Sequence, residues 1–170
     1  MTTGGAPTGP EDDVQDAVVQ DALVDAVLGA SRVLVAVAAR SLGDVGEEVT
    51  LTQYRTLVVL ASRGPQRLAE LAEAVDVTPP TASRMCDRLV RKGLIARRHE
   101  RGDRRLVRLS LADKGRELVA AVTARRRTEI ATLLAAVPAE QRSSLIDSLQ
   151  RLASVAGEVP EQDWSAGWDL

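Results

Sequence analysis

The chain has 170 residues, 45 % apolar and 27 % charged, with a formal net charge of −2. That length holds one domain with a real core, while a single Cys and a single His exclude a disulfide framework and a His/Cys metal centre. Phe is absent and the aromatics are Tyr54, Trp164 and Trp168 alone, so the core must be aliphatic.

Residues 1–12 are Gly, Pro, Thr and acid, and read as a disordered tail without the basic and apolar regions of a secretory signal. From about residue 13 to 43, apolar side chains recur at helical steps (Val14, Ala17, Val18, Val24, Val27, Leu28, Leu34, Val35, Ala38), predicting a long helix that ends near Gly43 or Gly46. The longest apolar run, 33–39, is far short of a membrane span, so the expected location is the cytoplasm, with no membrane partner. A second helix is predicted over roughly 52–62, stopped by Arg63-Gly64-Pro65, and a third over 68–74.

A fourth helix opens with Thr78 as N-cap and Pro79 at its first position, where a missing N–H costs nothing. Ala82, Met85, Cys86, Leu89 and Val90 form its buried stripe, and the other face carries Pro80, Thr81, Ser83, Arg84, Asp87, Arg88 and Arg91. After Gly93 the period changes to two: strands are expected at 94–98 and 107–111, flanking a hairpin tip, HERGDRR. Two more helices follow, about 113–136 and 139–156, with Pro138 near the start of the second. The acidic tail, 158–170, is expected to be irregular, although its two tryptophans argue that part of it docks on an apolar surface.

Two short helices, a tight turn and a two-stranded hairpin follow the order of a winged helix-turn-helix. Ala72 is small where the helices must cross, Asp76 sits where the turn wants a left-handed residue, and Ala82 and Met85 face back to the first helix. Residues 84–108 hold ten Arg or Lys against three Asp or Glu, a net +7 that leaves −9 for the rest. A local basic footprint on an acidic chain points to DNA. Hydroxyls and an arginine in the first half of the fourth helix suit a major groove, where Arg reads guanine and Thr meets a thymine methyl or a phosphate.

The run from Leu68 to Gly115, LAELAEAVDVTPPTASRMCDRLVRKGLIARRHERGDRRLVRLSLADKG, resembles the multiple-antibiotic-resistance-regulator (MarR) family of bacterial transcription factors. The helix pattern is carried by Thr78, Thr81, Ala82, Ser83, Arg84, Asp87, Arg88, Leu89, Gly93 and Leu94, and the wing pattern by Asp103, Arg105, Val107, Leu109, Leu111 and Gly115. The chain departs from the family at Ala112, where a capping Thr is usual, so that cap is expected to pass to Ser110 or Asp113. Its paired prolines also leave fewer amides for a phosphate.

The resemblance implies a mainly α fold, α+β by its wing, with a winged helix-turn-helix over about 50–111. Long dimerisation helices would lie at about 13–43 and 113–157, making 13–157 one domain between two tails. The implied function is a sequence-specific, homodimeric DNA-binding regulator, a repressor of a pseudopalindromic operator relieved by a small aromatic or anionic ligand or another signal. The DNA-binding residues would be Thr78, Pro80, Thr81, Ser83, Arg84 and Arg88 on the helix, with Arg97, Arg98, Arg101, Asp103, Arg104 and Arg105 on the wing. Asp87 reads as holding an arginine, Arg105 being the candidate, and Cys86 as core. Arg125, Arg126 and Arg127 read as a solvated face or as salt-bridge donors between subunits. Tyr54 has two readings, the wall of a ligand cleft or core packing.

A winged-helix scaffold for protein partners is the alternative, and would want an apolar or acidic recognition face. No nucleophile–base pair, phosphate loop or spaced carboxylate pair is present, so no catalytic residue, metal or cofactor is expected.

Overall fold

The computed structural model describes residues 10–43, 49–100 and 103–167, and side chains over 15–43, 49–98 and 107–164. Its elements divide into two compact units, one ending at Ala38 and the other beginning at Ala39.

The first unit is most of helix α1 (Pro10–Gly43). The helix takes in three residues of the expected disordered tail. Pro10 stands at its first position. Gly46 lies outside the described residues. Val18, Leu23, Val24, Val27, Leu28 and Leu34 are all 43–60 % exposed. Over Gln15–Gly43 the helix is long and apolar enough to cross a membrane by length and composition. The unbroken run at 33–39 understates this apolar length, because alanines between the larger side chains keep hydropathy high across the whole helix. Asp16, Asp21, Asp25, Arg32 and Arg40 lie along the stretch, Asp25 and Arg32 in its most apolar part.

The second unit packs α2 (Leu51–Arg63), α3 (Leu68–Ala74) and α4 (Pro79–Arg91) with a hairpin of β1 (Ile95–Glu100) and β2 (Asp103–Leu111). Helix α5 (Asp113–Leu134) follows, then a 3-10 turn (Ala139–Gln141), α6 (Arg142–Val155) and a short 3-10 helix (Glu161–Gly167). A capping box starts α2: Gln53 N–H donates to Thr50 Oγ1, and Thr50 N–H to Gln53 Oε1, both at 3.2 Å. The core is aliphatic as expected, with Leu57, Leu60, Leu71, Leu89, Leu94 and Val122 sealed from solvent. Each leucine contributes about 1.5–3 kcal/mol by leaving water.

Two glycines fix how the lobe closes. Gly93, at φ +72°, ends α4: its N–H donates to Val90 O (2.9 Å), and Leu94 N–H donates to Leu89 O (3.0 Å). Gly115 lets the start of α5 lie against the backbone of Leu94, since a Cβ there would collide with Leu94 O. The cap of α5 passes to neither expected residue. Ser110 Oγ is buried without a partner, and the Asp113 carboxylate is taken by Arg116, which also donates to Leu111 O.

The hairpin is longer than its alternation predicts. Ile95 pairs with Leu111 and Arg97 with Leu109, but strand geometry continues to Glu100 opposite Asp103. Residues 101–102 lie outside the described set, and the backbones of Arg104 and Arg105, expected in the hairpin tip, belong to β2. The register shifts between His99 and Glu100. At the other end, Gln66 adds a bridge to Leu109 through bonds of 2.9 and 2.8 Å.

At the C-terminal end α6 begins at Arg142, three residues late, because the chain after Pro138 first winds as a 3-10 turn. The tail is not irregular where described. Its 3-10 helix carries Trp164 onto the core and lies against α2. Trp168 lies outside the described residues.

Candidate nucleic-acid interface

The helix-turn-helix is built from α3 and α4. Asp76 adopts the left-handed conformation expected of it, φ 52°, and Val77 N–H closes the turn on Ala72 O at 3.0 Å. Ala72 and Ala82 are buried, which lets the two helices approach. Met85 is buried too, and its sulfur accepts a 3.5 Å hydrogen bond from Thr56 Oγ1 of α2. With Cys86 and Leu89 these residues spend one face of α4 on the core, as the spacing predicts. Burial pushes the Cys86 thiol up from its ordinary pKa, only partly opposed by nearby Arg97. It is a core residue rather than a reactive thiol.

The opposite face is open. Thr78, Pro80, Thr81, Arg84 and Arg88 are exposed and Ser83 is half-buried. Thr78 has the extended backbone of an N-cap, yet its hydroxyl makes no capping bond. Pro79 and Pro80 remove two of the helix-start donors, and the hydroxyl pairs instead with Thr81 Oγ1 at 3.0 Å. Arg84 folds back, its Nε donating to Pro80 O at 3.3 Å, so its guanidinium lies along the first turn.

Asp87 does hold an arginine, but the partner is Arg97 of β1, at 2.5 Å. This pair ties the middle of α4 to the first wing strand and spends the charge of one residue expected to meet DNA. Both ends are about half exposed, so the pair is worth about 1 kcal/mol or less. Sequence spacing does not reveal it, because the strand register decides which arginine crosses to the helix. Arg98 is exposed, and Arg108 donates to Pro65 O at 3.2 Å. Arg101 lies outside the described residues, as do the side chains of Asp103, Arg104 and Arg105.

Tyr54 is 5 % exposed and belongs to the core. Burial raises its pKa, opposed by the Thr123 hydroxyl and the Arg126 guanidinium, although its hydroxyl completes no hydrogen bond. Nearby, Val119, Ala120, Thr123, Arg127, Glu161, Gln162 and Trp164 line a cleft of about 510 Å³ from which Tyr54 is absent. Arg127, read as solvated or intersubunit, pairs within the chain with Glu161 at 2.6 Å. No group of three or more potential metal ligands occurs among the described residues.

This geometry has relatives. The MarR family model matches residues 49–107. The HTH-type transcriptional repressor MdtR of Bacillus subtilis (strain 168) is 34 % identical over 119 residues, covering 70 % of this chain and 77 % of MdtR. The crystal structure of RV1404 from Mycobacterium tuberculosis is 41 % identical, with a TM-score of 0.76 over 82 % of this chain and 95 % of that one. A MepR mutant from S. aureus bound to an oligodeoxyribonucleotide is 24 % identical, with a TM-score of 0.57 over 79 % and 97 % of the two chains, a likeness of fold. A helix-turn-helix with a basic outer face, a two-stranded wing and these matches lead to one statement: the chain belongs to the MarR family of transcriptional regulators.

Proposed function

We propose that the protein is a homodimeric, cytoplasmic repressor that lays one α4 in each of two successive major grooves of a pseudopalindromic operator. The observation that carries this reading is the division of α4, with one face sealed into the core and the other presenting hydroxyls, Arg84 and Arg88. Arg84 would read a base edge, and Arg88, one turn further on, a phosphate. Arg98 would add a phosphate contact. Arg101, Arg104 and Arg105 would bring the wing to a minor groove, with Asp103 shaping its tip. Arg97 would act through its pairing with Asp87. That MdtR is named a repressor and that the MepR mutant was solved with an oligodeoxyribonucleotide both support the reading.

Dimerisation is supported by apolar surface that the single chain leaves exposed, on α1 and at Leu133, Leu134, Ile146, Leu149 and Leu152. A second copy that covers these side chains also brings a second α4, and a twofold dimer places the two about 34–36 Å apart on DNA. The same need explains the hydropathy of α1 without a bilayer, where Asp25 and Arg32 would be costly. Relief by a small aromatic or anionic ligand fits the cleft beside Trp164, with Arg127 on its wall. A protein-binding scaffold is disfavoured by the basic, hydroxylated face of α4.

Selection of genomic fragments with the purified protein tests the proposal. The expected result is enrichment of one inverted repeat, bound by two chains in sedimentation. Enrichment of no sequence, or a stable monomer at micromolar concentration, would overturn it.

A further inference from the structure

The segment after α6 is fastened at both ends. Arg55 of α2 grips Glu158 with both terminal nitrogens, the longer bond being 3.1 Å. Two turns along α2, Arg63 reaches Gly157 O at 3.4 Å. On the other side, Glu161 accepts from Arg127 of α5 at 2.6 and 3.2 Å. Between them the segment is braced by its own bond, Trp164 Nε1–H to Val159 O at 2.9 Å, and the indole packs on the core.

Helix α2 packs on α3 and β2, meets α4 through Thr56 and Met85, and also packs directly on α5. A segment fastened to both α2 and α5 reinforces the angle that their packing sets. In a twofold dimer that angle sets the distance between the two recognition helices, and so the half-site spacing the protein accepts. The fastening is modest: exposed ion pairs and one half-buried indole can open without unfolding the lobe.

We propose that Glu158, Glu161 and Trp164 are specificity-determining residues that set the operator spacing this protein reads, by clamping α2 to α5. The proposal rests on the dimeric DNA-binding reading above. It makes the cleft beside Trp164 a place where spacing can be altered, since one of its walls is the clamp itself.

The test uses the full chain and the duplex that wild-type protein selects from genomic fragments, together with the same duplex lengthened or shortened by one and two base pairs at its centre. Wild-type protein is expected to bind the original spacing and reject the others. Trp164→Ala, and separately Glu158→Gln with Glu161→Gln, should narrow that discrimination by about fivefold or more. Trp164→Phe, which keeps the packing, should restore it. The double glutamine variant retains the indole and carries the test if Trp164→Ala does not fold. Spacing profiles equal to wild type in both the Trp164→Ala and the double glutamine proteins, checked folded by circular dichroism, would overturn the clamp. Failure of the wild-type protein to select any duplex would instead overturn the DNA reading on which the clamp rests.

Discussion

Helices α4 and α6 are almost the same length, 13 and 14 residues, and both carry an apolar stripe. On α4, Ala82, Met85, Cys86 and Leu89 are no more than 5 % exposed and Val90 is half-buried, whereas Ile146, Leu149 and Leu152 on α6 stand 50–53 % exposed. The first helix is completed by its own chain, and what it leaves outside is polar and basic. The second leaves its stripe open to solvent. Burial therefore separates a helix whose apolar stripe its own chain covers from one whose stripe it does not, a distinction that the stripe alone does not make.

The comparison breaks most visibly at α6. Leu149→Glu puts an unpaired charge on the surface proposed to be buried between copies, and symmetry places it there twice. Sedimentation should show dimer replaced by monomer, at a cost of about 3 kcal/mol or more. Unchanged association would mean that α6 is an ordinary exposed helix.

Next in size is the matching cut in α4. Leu89→Ala opens a cavity in the core and should cost about 2–5 kcal/mol. The extra loss in denaturant melts should be the same at every protein concentration, which separates a core helix from an association helix. On the outer face of α4, Arg84→Ala should leave the melt unchanged but weaken operator binding by about 1–3 kcal/mol, with relaxed preference at one base pair per half-site. Arg88→Ala should weaken all sequences alike, and titration against single-base operator variants distinguishes the two.

The smallest effect lies beneath both helices, at Tyr54. Its folded pKa is raised, so the phenol contributes full stability below the unfolded value of about 10 and loses it as pH climbs toward the folded value. Tyr54→Phe should erase that alkaline loss. By removing a buried hydroxyl that has no hydrogen-bond partner, it should also raise stability near neutrality by about 1 kcal/mol. Thermal melts at pH 7 and pH 11 check both signs.

Much of the recognition lobe is written in local signals. Thr50 with Gln53, the left-handed Asp76, and Pro79 and Gly93 at the two ends of α4 act within a few residues of themselves, so α3 and α4 fall at the positions their spacing predicts. What the sequence hides is decided across the chain. Whether Asp87 holds Arg97 depends on hairpin register, and whether Arg127 pairs with Glu161 depends on where a tail lands 34 residues later. Trp164 shows the boundary well: its chemistry announces that it docks, and only the fold says on which helix.

The contact at Gly115 has a practical consequence for anyone recombining this protein with its relatives. A side chain at that position would collide with the carbonyl of Leu94, so the end of α4, both wing strands and the first turn of α5 are one interlocked block. Chimaeras that exchange readout modules between scaffolds are naturally cut at the loop between wing and helix, but here that cut separates the two halves of a lock. A junction placed beyond Gly115, inside α5, transfers the block whole. Such a hybrid inherits the donor's presentation of α4 together with the residues on its outer face.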